Sequence, residues 1–337
     1  MKAVILDQRT YKLEIGEVEK PVVRDGEIAI KMVSAAINHH ELWTLKERRR
    51  SSESNIIMGS DGSGIVEAIG KGVNTFKTGD EVIINPSLHW GANDRVQGGD
   101  YEILGFPTPG TFSEYVTIHA KYVYPKPSHL TFQEAAALPL AGLTAYRALM
   151  TRGELEPGNK VLVTGIGGGA ALYALGFAVA LEAEVYVTSG DNRKISRAIE
   201  LGAKSGVNYK DKGWNEVLKS RAGGFDVIID SAAGKDFDKL AELANPGGRI
   251  ALFGRTAGTI SDLNPRTIFW KQLSIHGTTM GNDLEFFKML ELVSAKKLKP
   301  VIDSEYAAKN INEAYGKMDK SKQFGKIVID MASLAEL

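Results

Sequence analysis

The sequence predicts an α/β protein built of two parts, a partly open β-barrel and a doubly wound parallel sheet. Three features lead there. Residues 161–171 (VLVTGIGGGAA) run from an apolar strand through a glycine-dense turn into an apolar helix. Residues 1–125 hold many short strands divided by Gly, Pro and Asp turns, the texture of a compact barrel. From about Leu130 onward helix and strand alternate, as they do in a parallel sheet with crossover helices.

The barrel strands are expected at KAVIL (2–6), EIAIKMVSAAI (27–37), SGIVEAIG (63–70), DEVIIN (80–85) and TFSEYVTI (111–118). The sheet strands are expected at KVLVTG (160–165), EVYVTS (184–189), FDVIID (225–230), GRIALFG (248–254) and LSIHGTT (273–279). The last stretch holds a helix near 284–295, the segment PVIDSEY (300–306), a helix near 312–318 and the strand KIVID (326–330). These final strands are read as a return to the first domain, because the parallel sheet is already complete. The expected division is therefore 1–125 with 283–337, and 126–282. No internal repeat or low-complexity segment is visible.

Val161, Leu162 and Val163 form a β-branched, apolar run suited to a strand covered on both faces. Gly165, Gly167, Gly168 and Gly169 allow a tight turn with no side chain in the way of a diphosphate. The following helix, from Ala170 to about Leu181, offers its free N–H groups to that anion. Glycines set between strand and helix constitute the dinucleotide-binding, or Rossmann, fingerprint. The next strand ends at Thr188, Ser189 and Gly190, where NAD enzymes carry an acidic residue for the ribose. Arg193 and Lys194 follow, cations at a helix start, where a bound anion would explain them. The sequence favours NADP(H), although Asp191, slightly late for the usual acidic position, speaks for NAD.

Charge is balanced, with 41 Lys and Arg against 41 Asp and Glu, so neither nucleic acid nor an anionic membrane is expected as partner. The Lys46–Arg50 run (KERRR) is the one basic cluster and reads as a solvated loop. No segment is apolar for long enough to span a bilayer, and the N-terminus enters a strand without a signal-peptide pattern. Cysteine is absent, which removes disulfides, thiolate metal sites and thiol nucleophiles together. A cytoplasmic enzyme is the expectation.

The order of motifs resembles the medium-chain dehydrogenase/reductase superfamily over essentially the whole chain. Within it the sequence is most similar to the zinc-free, quinone oxidoreductase-like branch of the zinc alcohol dehydrogenases. The blocks that carry the likeness are AAINHHEL, MGSDGSGIVEAIGKGVNTFKTGDEVI, GTFSEYV, LPLAGLTAYRAL, VLVTGIGGGAA, ELGAKSGVNY, PGGRIALFG and FGKIVI. The resemblance implies a GroES-like barrel domain beside the Rossmann domain, and hydride chemistry. One departure is Ala171, where the family closes its phosphate turn with glycine.

The resemblance also bears on metal. Zinc-dependent relatives use Cys, His and Cys ligands, and the matching positions here are Asn38, Ser60 and Leu140. Catalytic zinc needs three such donors around an open position, and Leu140 can donate nothing. The family's four-cysteine structural lobe is replaced by the cysteine-free stretch 86–109. His39, His40 and Asp61 could supply imidazoles and a carboxylate, but adjacent histidines point different ways, and no metal is expected. Without one, a preorganised donor must stabilise the oxyanion formed on a reduced carbonyl. Asn38 is the first candidate, His40 a candidate proton donor, and Ser60 and Asp61 line the same cleft by resemblance.

Matched positions imply further cofactor contacts. Thr144 is placed near the nicotinamide, Tyr209 beside the 2′-phosphate, and Phe253 and Gly254 at the carboxyl edge of the sheet. Met280 and Lys326 are placed at the nicotinamide half and the diphosphate. His89 and Trp90 lie in the loop that replaces the zinc lobe; Trp90 is expected to pack on its own barrel. The Trp43–Met58 and Ser87–Phe106 loops shape the pocket. The expectation is an NADPH-dependent, metal-independent reductase of quinones, enals, enones or related electrophiles, dimeric through the strand at 273–279. An ordinary alcohol dehydrogenase and a non-catalytic NADPH-binding protein are the alternatives.

Overall fold

The computed structural model describes residues 1–7, 12–46 and 55–336. Most of the Lys46–Arg50 run and the middle of the Trp43–Met58 loop lie outside the described residues. Contacts divide the chain into residues 1–141 with 281–337, and residues 142–280. In chain order the first elements are β1 (Lys2–Asp7), β2 (Lys12–Glu17), β3 (Glu27–Ala36), α1 (His39–Lys46), β4 (Asn55–Ile57), β5 (Asp61–Ile69), β6 (Glu81–Ile84), β7 (Ser87–Leu88), β8 (Glu102–Ile103), β9 (Tyr115–His119), β10 (Val123–Pro125), α2 (Phe132–Ala136) and α3 (Pro139–Tyr146). Then come β11 (Lys160–Val163), α4 (Gly169–Ala180), β12 (Glu184–Ser189), α5 (Asn192–Glu200), β13 (Ser205–Asn208), α6 (Trp214–Ala222), β14 (Phe225–Asp230), α7 (Phe237–Leu243), β15 (Ala244–Leu252), α8 (Pro265–Lys271) and β16 (Ser274–Gly277). The chain closes with α9 (Asp283–Ala295), β17 (Ile302–Ala307), α10 (Ile311–Asp319) and β18 (Lys326–Asp330).

The first unit is organised around β3. It pairs antiparallel with β5 along one side, and with β9 and then β18 along the other. Ile28, Ile30 and Met32 of β3 join Val66, Val82, Ile84, Val116, Ile118, Ile327 and Ile329 in one apolar core. The unit runs past residue 125, where strand texture alone ends it, because α2 packs on β3, β5 and β18 and buries Ala137 against Ala36 and Val328. β2 was not expected from the sequence; its side chains are mostly exposed, so its apolar alternation is faint.

Two glycines of β5 set the geometry that matters for function. A methyl group on Gly64 would lie 2.3 Å from the Lys31 carbonyl oxygen, and one on Gly62 would lie 2.4 Å from Met32 Cε. β5 can therefore lie close against β3, with Asp61 opposite Ala36. On the other side of β3, Val328 stands opposite Ala36, and the Ile37 N–H donates to the Ile327 carbonyl at 3.1 Å. The end of β3 and the first residues of β5 and β18 thus arrive at one place, bringing Asn38, Asp61 and Lys326 together.

The second unit is a six-stranded, all-parallel sheet in the order β13-β12-β11-β14-β15-β16. Numbered from β11, that is the 3-2-1-4-5-6 order of a doubly wound sheet, with its switch point between β11 and β14. Leu162, Tyr186, Phe225, Ile228 and Ile250 from the strands meet Trp214, Leu218, Phe237 and Leu240 from the helices. α4 is buried along most of its length, as its apolar sequence demands. No helix among the described residues is long and apolar enough to cross a membrane.

Gly64→Ala is expected to destabilise the protein by about 1–3 kcal/mol, because the added methyl meets fixed main chain. Gly176→Ala in α4, where a methyl meets nothing within 4 Å, is expected to stabilise it by up to about 1 kcal/mol through helix propensity. Thermal and urea midpoints of the two variants check both signs.

Candidate active site

In the first unit the junctions after β3 and before β5 converge on a buried polar network. α1 begins at His39, so Asn38 occupies the position from which Asn normally caps a helix with its side chain. Here only half of that arrangement forms. The Glu41 carboxylate reaches back to accept the Asn38 N–H, and its other oxygen accepts the Ser60 N–H at 3.1 Å. The Asn38 side chain turns elsewhere: its Oδ1 accepts from Lys326 Nζ at 2.5 Å, and its Nδ2 donates to Asp61 Oδ2 at 2.9 Å. Lys326 Nζ also donates to Asp61 Oδ2 at 2.8 Å and to the Ile37 carbonyl at 3.1 Å. The remaining Asp61 oxygen accepts the Leu140 N–H at 2.7 Å. Lys326 is 4 % exposed and Asp61 not at all.

One ammonium therefore faces two buried carboxyl groups, and the charge is settled at Glu41. Burial pushes its carboxyl up to about 7; Lys326, the Asn38 N–H and Ser60 work against this, and Asp61 adds to it. Below neutral pH Glu41 holds a proton, leaving Lys326 and Asp61 as a single ion pair. Burial, with Lys326 and Lys46 nearby, lowers the His39 imidazole from its usual value, so it is neutral at pH 7. The Tyr315 hydroxyl is buried without a partner among the described residues, and burial and Glu41 raise it well above its usual value.

These side chains do not fit zinc. The Leu140 side chain has no donor atom, and the Asn38 oxygen already takes the Lys326 ammonium. No group of three His, Asp or Glu residues among the described residues is placed to hold a metal ion. Asn38 spends its amide on Asp61 rather than presenting it, and Lys326, expected on a diphosphate, lies inside the network. Ser60 keeps an uncommitted donor: it is fully buried and its Oγ has no partner among the described residues. His40 stands in the first turn of α1, half-buried, with its carbonyl accepting from Thr44 Oγ1 at 3.0 Å.

In the second unit the glycine turn after β11 is shaped for an anion. Gly165 and Gly167 adopt φ of +62° and +125°, backbone that L side chains rarely take. Gly168 caps α4 with no side-chain bond to its first N–H groups, whereas α5 is capped by Asp191. The first turn of α4, from Gly169 and Ala170, thus offers donors that only a ligand or water can fill. A methyl on Gly168 would meet nothing within 4 Å, while one on Gly167 would strike the Lys194 chain, 2.8 Å from Cδ and 3.2 Å from Nζ. Lys194 therefore lies over the turn. This cradle fits the diphosphate of a dinucleotide.

Other expected residues pair within the same unit. The Thr144 hydroxyl donates to Met280 Sδ at 3.8 Å, so these two come together. The Phe253 N–H donates to the Asp230 carbonyl at 3.1 Å, and Gly254 packs on Ser231, whose oxygen a methyl would approach to 2.3 Å. Across the switch point, the Thr164 hydroxyl donates to Asp230 Oδ1 at 2.5 Å and the Ala233 N–H to Oδ2 at 2.7 Å. Burial raises the Asp230 carboxyl. That brace was missed from the sequence, since nothing local distinguishes a Thr and an Asp that meet across neighbouring strands. At the end of β12, Ser189 is buried and Tyr209 follows β13 at its side. Arg193 departs from expectation: its guanidinium folds back onto Asp191, at 2.9 and 3.2 Å.

The loop 86–109 is stapled by aromatics. Trp90 is buried, donates through Nε1 to the Asn93 carbonyl at 3.0 Å and meets Tyr101 edge-on at 5.4 Å. His89, at φ +55°, is half-exposed beside Tyr122 and Glu102.

Comparison with known proteins follows this geometry. The alcohol dehydrogenase GroES-like domain family matches residues 24–128, and the zinc-binding dehydrogenase family matches residues 169–295. The zinc-type alcohol dehydrogenase-like protein YogA of Leptosphaeria maculans is 34 % identical over 95 % of each chain. Human quinone oxidoreductase is 28 % identical over 89 % of this chain and 87 % of its own. A solved NAD-dependent alcohol dehydrogenase superposes with a TM-score of 0.92 at 33 % identity, covering 98 % of this chain and 99 % of its own.

Glu41 binds its proton more tightly folded, at about 7, than at the ordinary 4.5. Its stabilising contribution is therefore complete below pH 4.5 and lost as pH rises to about 7. Melting temperatures of wild type and Glu41→Gln across this range are expected to differ by an amount that moves against the wild type as pH rises. A constant difference would show that Glu41 does not titrate there.

Proposed function

The chain belongs to the medium-chain dehydrogenase/reductase superfamily of oxidoreductases, and on that footing we propose that it is an NADPH-dependent, metal-independent reductase of quinones, enals, enones or related activated carbonyl compounds. The observation that carries this reading is the closed Asn38–Asp61–Lys326 network around Asn38, one of the three positions matched to the metal ligands of zinc relatives, with Ser60 Oγ, at the second, without a partner among the described residues. A nicotinamide dinucleotide, when bound, supplies the hydride. The chain's own residues bind it at the turn 165–170, with Lys194, Thr144, Met280, Phe253 and Gly254 around it. Ser60 Oγ donates to the substrate oxygen as negative charge grows there. His40 is the proposed proton source. Asn38, Asp61 and Lys326 hold the loop that carries Ser60.

Support for NADPH over NADH comes from the end of β12. Ser189 stands where an acidic residue would take the ribose, and the nearby Asp191 carboxylate is engaged by Arg193. The names of the matched alcohol dehydrogenases favour a second reading, oxidation of simple alcohols. Leu140 weighs against it, because metal-assisted alcohol oxidation needs a third donor there.

We also propose a homodimer through the edge of the second unit's sheet. β16 is an end strand, and the adjoining α8 exposes Phe269 and Trp270 at 65 % and 75 %. An open edge beside two exposed aromatic rings is the kind of surface a twofold mate covers.

Purified protein is expected to oxidise NADPH with a quinone or an enal and not with a simple ketone; the converse pattern overturns the substrate class. Ser60→Ala is expected to lower kcat by about 10²–10³-fold with the cofactor KM little changed, the loss typical of an oxyanion donor. Trp270→Glu is expected to convert a dimer to a monomer in sedimentation analysis, and an unchanged mass would remove that interface.

A further inference from the structure

Ser60 is held by its main chain from two sides. On one side is Gly59, at φ +101°, where a methyl would strike Phe112 and the Thr111 hydroxyl, each at 2.6 Å. The Gly59 carbonyl accepts the Thr111 N–H at 2.9 Å, and methyls on Gly105 and Gly110 would come within 2.8 and 2.0 Å of its oxygen. Main chain packed so closely on main chain tolerates little displacement. On the other side stands Glu41, in the first turn of α1 and 1 % exposed. Its carboxyl spans two segments, Oε2 accepting the Asn38 N–H and Oε1 the Ser60 N–H at 3.1 Å.

The neighbouring network is complete without Ser60. Lys326 Nζ donates to the Ile37 carbonyl, Asn38 Oδ1 and Asp61 Oδ2, which uses all of its hydrogens. Asp61 accepts from Lys326, from Asn38 Nδ2 and from the Leu140 N–H. None of these bonds reaches Ser60, whose Oγ has no partner among the described residues. Glu41 thus takes the amide of Ser60 and leaves its hydroxyl. We infer that Glu41 is a positioning residue for the proposed reduction: its grip on the Ser60 amide fixes where the hydroxyl points and keeps that hydroxyl for the substrate oxygen. This rests on the Ser60 donor of the proposed function and places its aim in a residue that acts through Ser60. Aim matters because a hydrogen bond weakens steeply as its angle closes, and a preorganised donor loses its advantage once it must reorient.

A carboxyl offers an acceptor on each oxygen, whereas a carboxamide has a single oxygen, so in Glu41→Gln one of the two buried N–H groups faces an NH2 group. Steady-state NADPH oxidation with a quinone or an enal, measured on wild type, Glu41→Gln, Ser60→Ala and the double variant, forms a double-mutant cycle. Glu41→Gln is expected to lower kcat about tenfold, the scale of one hydrogen bond, with the cofactor KM within about twofold. In the Ser60→Ala background the same change is expected to lower kcat by less than about twofold. Glu41→Asp, one methylene too short to span both N–H groups, is expected to show the same two effects. Tyr315→Phe, which removes the buried hydroxyl near Glu41, is expected to leave kcat within about twofold, the scatter of a change outside the reacting group. Full activity in Glu41→Gln, an equal loss in both backgrounds, or a matching loss in Tyr315→Phe overturns the role of Glu41 while the Ser60 donor stands. Ser60→Ala as active as wild type overturns the Ser60 donor, and the role of Glu41 with it. A wild type that oxidises no NADPH with these substrates overturns the function on which both rest.

Discussion

A buried ammonium, held by a carboxylate, a carboxamide and a main-chain carbonyl, ties the end of β3 to the beginnings of β5 and β18. Few arrangements are so costly to leave half-made. Removing one partner from a buried ion pair typically costs about 3–5 kcal/mol, because the other charge stays behind in a medium that cannot solvate it. Lys326, Asp61 and Asn38 therefore stand or fall as a group. The chain segments they anchor, 37–41, 60–61 and 138–140, share that fate, and so does the position of Ser60. Below neutral pH Glu41 completes the arrangement by holding a proton, which leaves one ion pair inside.

This constraint also shapes the chemistry. The site offers substrate neither a soft ligand set nor an open coordination position. On the proposed reading it offers the Ser60 hydroxyl, held in place by the network around the Lys326 ammonium. Such preorganisation suits the reduction of electrophiles that already accept hydride readily, and it is poorly suited to drawing hydride from an unactivated alcohol. The second unit contributes a different kind of order: glycines in the left-handed region, an uncapped helix start and the Thr164–Asp230 brace across the switch point.

Much of this architecture can be read from local patterns. The turn 165–169 announces itself because φ of +62° and +125° favours glycine and a turn without side chains leaves room for a phosphate, and the parallel strands show as apolar runs. Asn38, Ser60 and Asp61 could be located from their motifs. Their hydrogen-bond partners could not, because Lys326 meets Asn38 across 288 positions of sequence and only strand register predicts such a contact. Lys326 was accordingly expected on a phosphate. Glu41 carries no local mark of its burial, which depends on the same long-range convergence. Arg193 looked like a phosphate ligand because the sequence does not show its side chain folding back on Asp191. In each case the local chemistry was visible, and the partner across the sheet was not.

The most direct measurement of the central claim is the metal content of the purified protein alongside its NADPH-dependent quinone reduction, before and after exhaustive chelation. An internal ammonium in place of a metal predicts far less than one metal per chain and unchanged turnover after chelation. Stoichiometric zinc whose removal abolishes turnover would contradict it.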